Sequence, residues 1–172
     1  RFRESSFEER ARIHARRRVR LEVHEVAVLS RAEEVVEAHF EQVRGHLNSS
    51  GYKVTMHDPF VACVELSLGN GKRHQAIFLS ELGNDDERGY LRVSTVIAPM
   101  TGIDAKRALK FNWQSSVGYL AIGELDGVPY LQLCENRPYE SLSPAEVDRL
   151  VLEIGGLGDS MERALSAEGN LL

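Results

Sequence analysis

Arginine is the residue type most ready to do chemistry in this chain. Arg10, Arg12, Arg16, Arg17, Arg18 and Arg20 crowd into eleven positions near its start. A guanidinium is a planar fork that matches phosphate, and a row of them releases counterions on binding, so a basic arm fits salt-sensitive nucleic-acid contact. Residues 1–20 hold eight arginines against three glutamates, +5, so the rest of a chain whose net charge is −5 carries −10. A solvated helix, or an arm that pairs with acidic surface on another subunit, accounts for the same charge. Only Phe2 and Phe7 offer stacking within it.

The other reactive side chains form no catalytic or metal-binding pattern. The six histidines, His14, His24, His39, His46, His57 and His74, show no His-Glu-x-x-His or His-x-His spacing. His39 and His46 stand two helical turns apart, about 10 Å along an axis at 1.5 Å per residue, too far for one metal. Asp85-Asp86-Glu87 is a triple acid without the alternating ligands and distal glutamate of a calcium loop. Cys63 and Cys134 are isolated in apolar runs and read as small buried hydrophobes. No serine sits in a Gly-x-Ser-x-Gly elbow. Gly155-Gly156-Leu157-Gly158 lies within a helical stripe, where close packing explains it better than phosphate binding. The expectation is therefore no catalytic residues, no metal and no cofactor.

Composition supports an ordinary globular chain. Of 172 residues, 42% are hydrophobic and 27% charged, enough for one domain with its own core. No run reaches the roughly 20 apolar residues of a membrane span, and no leader is visible, so a cytoplasmic location without membrane contact is the default. Residues 1–29 read as a basic arm and 30–172 as the folded domain.

The elements that would position a site follow from periodicity. Ser30-Arg31-Ala32-Glu33 is a capping box that opens a helix over about 31–48, with Val36, Phe40, Val43 and Leu47 on one stripe. Four strands follow, Tyr52–His57, Val61–Leu68, Arg73–Leu79 and Tyr90–Ala98. Their short connections demand antiparallel neighbours. A second helix spans about 104–113, with Ala105, Ala108, Leu109 and Trp113 on a shared stripe, and burial of Trp113 beneath the strands that follow is favoured over its standing exposed as an anchor for a partner. Asp126-Gly127 between apolar runs is a strong hairpin signal. Ser143-Pro144-Ala145-Glu146 then opens a last helix carrying Val147, Leu150, Val151, Ile154, Leu157, Met161 and Leu165. The order α-ββββ-α-ββ-α predicts an α+β two-layer sandwich, a mostly antiparallel sheet with helices on one face.

Three segments carry a resemblance. They are Ile103-Asp104-Ala105 running into Leu109-Lys110-Phe111-Asn112-Trp113, then Gly118-Tyr119-Leu120-Ala121-Ile122, then Ser141-Leu142-Ser143-Pro144-Ala145-Glu146-Val147. In this order the chain, over roughly residues 31–166, resembles the type III secretion chaperone-like fold and, within it, the YbjN family of bacterial proteins. The resemblance implies a homodimer without enzymatic activity that binds segments of partner proteins, as a chaperone or a regulator. It supplies no catalytic residues. Peptide capture on apolar surface or on a sheet edge points to the hairpin and its flank, with Trp113, Tyr119, Tyr130 and Leu131 as the expected protein-binding residues. The alternative is a nucleic-acid-associated regulator that uses the arginine arm.

Overall fold

A computed structural model describes residues 38–82, 89–101 and 103–168. The arginine arm, the Ser30 capping box and the Asp85-Asp86-Glu87 loop lie outside the described residues.

Helix α1 occupies residues 38–49, and Phe40, Val43 and Leu47, spaced three and four apart, are its buried side chains. It stops where Gly51 takes a left-handed φ of 79°. Strands β1 (Lys53–Asp58), β2 (Val61–Leu68), β3 (Arg73–Leu82) and β4 (Tyr90–Pro99) make the expected antiparallel meander. Helix α2 (Ala105–Gln114) is capped by Asp104, whose carboxylate accepts from the Lys106 amide at 2.9 Å. Strands β5 (Tyr119–Leu125) and β6 (Val128–Pro138) form the hairpin, with Asp126 and Gly127 both at positive φ, 51° and 76°, as a two-residue turn of this hand requires. A 3-10 turn (Tyr139–Ser141) leads into helix α3 (Pro144–Glu168), whose first turn donates from the Glu146 amide to Ser143 Oγ at 3.2 Å.

The sheet order is β1-β2-β3-β4-β6-β5, all antiparallel, so β6 inserts beside β4 and leaves β5 at the edge. Paired residues share a face, which sorts the sheet. Val64, Ile77, Thr95, Leu133 and Leu120 form one row, and Ala62, Leu79 and Val93 the next. These residues are buried against α1 and against Val147, Leu150, Val151 and Ile154 of α3. Together they make an α+β fold with its core between one sheet face and the helices.

Helix α3 runs unbroken through its glycines. A Cβ on Gly155 would meet Leu66 Cδ2 at 2.4 Å, and one on Gly158 would meet Thr95 Cγ2 at 2.5 Å. The missing side chains let the helix backbone sink onto β2 and β4, which settles the glycine run as close packing. The polar groups it buries are matched. Asp159 receives Arg73 Nε at 2.6 Å and its second nitrogen at 3.0 Å. Gln75 donates to Thr95 Oγ1 at 2.8 Å and to Glu162 at 2.7 Å. Among the described residues, no helix is long and apolar enough to cross a membrane. Cys134 is buried as expected, whereas Cys63 is only half-buried.

Candidate protein-docking face

Helix α2 turns the expected stripe outward. It buries no residue fully, and only Ala108 and Phe111 lean on the core. Ala105, Leu109 and Trp113, four apart and therefore on one line of the helix, face away. Trp113 is 90% exposed and Leu109 68%, which corrects the expectation that Trp113 packs beneath the hairpin. The physical reason lies in Asn112. Its side chain donates to the Leu120 carbonyl at 3.0 Å and accepts from the Leu120 amide at 2.6 Å. That double bond pins the Asn112 line of the helix to β5. At 100° per residue it swings Trp113 about a quarter turn away from the strand.

The same contact shows how the sheet edge is managed. An edge strand offers unpaired backbone groups to any other strand. Leu120 points its amide and carbonyl away from β6, so residues of the same parity do likewise. At Leu120 Asn112 takes both groups, and just before the strand the Gly118 amide donates to Glu135 Oε2 of β6 at 2.5 Å. The next outward positions, Ile122 and Glu124, have no such side chain over them among the described residues. Ile122 is also 66% exposed, and Leu125 and Val128 at the hairpin end are exposed as well. Half of the β5 edge is thus closed and half open, and the open half carries apolar side chains.

Charge on this face is unmatched among the described residues. Lys106, Arg107 and Lys110 are exposed on α2, which contains no acidic residue. Glu124 and Asp126 are exposed on the hairpin. None of the five forms an ion pair among the described residues, while most charges near α3 do.

The four residues expected from sequence separate in the structure. Trp113 stands on the outer line of α2. Tyr119 and Tyr130 are half-buried and pair opposite Cys134 and Gly123, on the sheet face away from the core. Leu131 pairs with Ile122 on the core face and is 2% exposed, so it packs the sheet and offers no docking surface. Sequence reasoning missed Leu109, Ile122, Leu125, Val128 and Asn112. The signal available for Ile122 was the short β5 run beside a hairpin turn, which is how edge strands read.

A second, smaller feature lies at the far end of the core. A cleft of about 90 Å³ opens between α1 and the start of α3, lined by His39, Val43, His46, Tyr139, Leu142 and Pro144 among others. His39 stacks on Tyr139 with ring centroids 5.1 Å apart. Tyr139 donates its hydroxyl to Glu81, and burial, with that bond, pushes the phenol far above its ordinary value. Burial also raises Glu81, against the pull of the Tyr139 bond. His46 Nε2 lies 3.0 Å from Asp148 and joins α1 to α3. No group of three metal-ligating side chains gathers anywhere among the described residues.

With this geometry in view, solved structures of the same architecture can be set beside it. A chain of the HopA1–SchA chaperone–effector complex superposes with a TM-score of 0.53 at 15% identity, covering 74% of this chain and 95% of the other. This chain has the type III secretion chaperone-like fold. The Yersinia pestis type III secretion chaperone SycH, solved with a stable fragment of YscM2, matches with a TM-score of 0.48 at 11% identity, over 72% and 98% of the two chains. YbjN from E. coli, described as a putative transcription regulator, matches with 0.49 at 14% identity, over 77% and 94%. No family model and no curated protein matches the chain by sequence.

Proposed function

We propose that this chain is a non-enzymatic protein-binding module, chaperone-like or regulatory, that holds segments of partner proteins and works as a homodimer. The observation that supports it is the exposure of large apolar side chains on two adjoining elements, Leu109 and Trp113 on α2 and Ile122, Leu125 and Val128 on the hairpin. Large exposed apolar groups gathered at one place mark surfaces that another protein covers. A chain sharing this fold belongs to a chaperone–effector complex. Trp113, with Tyr119 and Tyr130 on the hairpin, remain the residues assigned to protein contact. Two further places for partner segments are the β1 edge, unpaired among the described residues, and the His39–Tyr139 cleft.

The test is biochemical. Tagged full-length chain is purified from its own host, and its mass in solution is measured. The expected result is twice the 19.3 kDa chain mass, with one protein co-purifying at one segment per chain. A segment protected from protease in that complex would identify what is held. A chain that runs at its single mass and purifies alone would overturn the proposal. The arginine arm supports a second reading, a nucleic-acid-associated regulator. It expects retention on nucleic acid at low salt that vanishes when residues 1–20 are deleted.

A further inference from the structure

We propose that helix α3 is two units, and that its second half, residues 157–168, is a strap that opens at Gly156 while the first half stays docked. The two halves are held by different forces. The first half sinks Val147, Leu150, Val151 and Ile154 into the apolar core. In the second half Leu157, Met161 and Leu165 are only partly buried, and the grip is polar. Asp159 takes two hydrogen bonds from Arg73 of β3 and lies 3.3 Å from Arg163 Nε, while Glu162 accepts from Gln75 at 2.7 Å. The join between the halves is weak. Close packing requires Gly155 and Gly158, but a Cβ on Gly156 would meet nothing within 4 Å. Packing therefore gives no reason for a glycine there, and a glycine loosens a helix interior relative to alanine. Ser160 Oγ also donates to the Gly156 carbonyl at 2.9 Å, a back-bond of the kind that bends helices.

The sheet beneath the strap is built to be wetted. Under Gly158 lie Thr95, Gln75 and Ile97, two of the three polar. Opening would be costly if it left donors or acceptors without partners. Here the sheet keeps its own bonds. When Glu162 leaves, the Gln75 side-chain nitrogen still donates to Thr95 Oγ1 at 2.8 Å and to the Val96 carbonyl at 3.3 Å. The Thr95 hydroxyl still donates to the Ala76 carbonyl at 2.8 Å. Asp159, Glu162 and Arg73 exchange their bonds for water, and the Arg73 side chain is already 42% exposed. Closed, the strap covers Ile97 and this polar pair. Open, it bares that strip of sheet, so access to it is controlled from within the chain. Segments with few fully buried apolar contacts are the ones that open locally, below the free energy of global unfolding.

Residue-by-residue amide hydrogen exchange on the full chain tests this. The amides from Leu157 to Ala164 should share one rate, about tenfold or more faster than those from Leu150 to Ile154. The last turn is set aside because helix ends fray. Arg73→Met removes the main partner of Asp159 and should raise the strap rate by about tenfold. Val151→Ala thins the core under the first half. It should speed exchange there and leave the strap rate as in the parent, because the strap opens without disturbing Val151. A rate that climbs smoothly toward the end of the helix, with no step at Gly156, would be ordinary fraying and would overturn the proposal. So would a strap rate that rises in Val151→Ala together with that of the first half, since the helix would then open as one. A strap rate indifferent to Arg73→Met would overturn the polar grip.

Discussion

Along α3, Val147, Leu150, Val151 and Ile154 are buried, and Asp159 of the helix pairs with Arg73 of β3. Along α2, Leu109 and Trp113 point outward and three cations find no partner within the described chain. Both helices are amphipathic and both begin with a good cap. They differ in what holds them down. Helix α3 approaches through glycine, so its backbone meets the sheet and its apolar stripe is buried. Helix α2 is pinned by one asparagine at a sheet edge, and its richest line is left over. The same residue types thus pack the core along one helix and stand exposed along the other. That division can be broken or sharpened by experiment.

The largest effect belongs under α3. Ile154→Ala removes a fully buried side chain and should cost about 2–5 kcal/mol in urea unfolding. Gly158→Val should cost about 1–3 kcal/mol, because its added methyls collide with Thr95. A result near zero would mean that the helix does not rest on β4 as described.

The ion pairs come next, and they carry a sign. Arg73, by its hydrogen bonds and then its charge, holds the Asp159 carboxyl below its ordinary value of 3.8. A carboxyl lowered in the folded state stabilises fully above that ordinary value, and the contribution is lost as the pH falls through the lower folded value. Arg73→Met should therefore destabilise the chain at pH 7 and differ less from the parent at about pH 3. An equal difference at both pH values would assign the loss to packing alone. The smallest effect on folding belongs to α2. Trp113→Ser should change the stability of the single chain by less than about 0.5 kcal/mol, while weakening self-association. A large loss of stability in dilute solution would show that Trp113 is structural after all.

Most of this architecture was legible in the residues. The Phe40–Val43–Leu47 spacing, the strand run from β1 to β4, the Asp126-Gly127 turn and the Ser143 cap are local signals, and local hydrogen bonding and periodicity determine them. Two features were not legible. The placement of β6 beside β4, leaving β5 at the edge, depends on which strand of a hairpin pairs across the sheet, and both runs are apolar. The direction of α2 depends on Asn112 meeting β5, a contact made only after the sheet forms. That is why Trp113 was expected inside and Leu131 outside, when the pairing parity and the asparagine place them the other way. The sequence pointed to the hairpin and its flank as the docking face, and which of their side chains stand exposed had to come from three dimensions.

Trp113 is the chain's single tryptophan, and it stands almost fully in water. Its fluorescence is therefore a built-in optical gauge of this one surface. Unfolding an isolated chain would move an already wet indole little, so emission colour would report poorly on the fold. Covering the α2 face would dry the ring and shift its emission to the blue. The protein carries its own label, without any dye, on the face proposed for a neighbour.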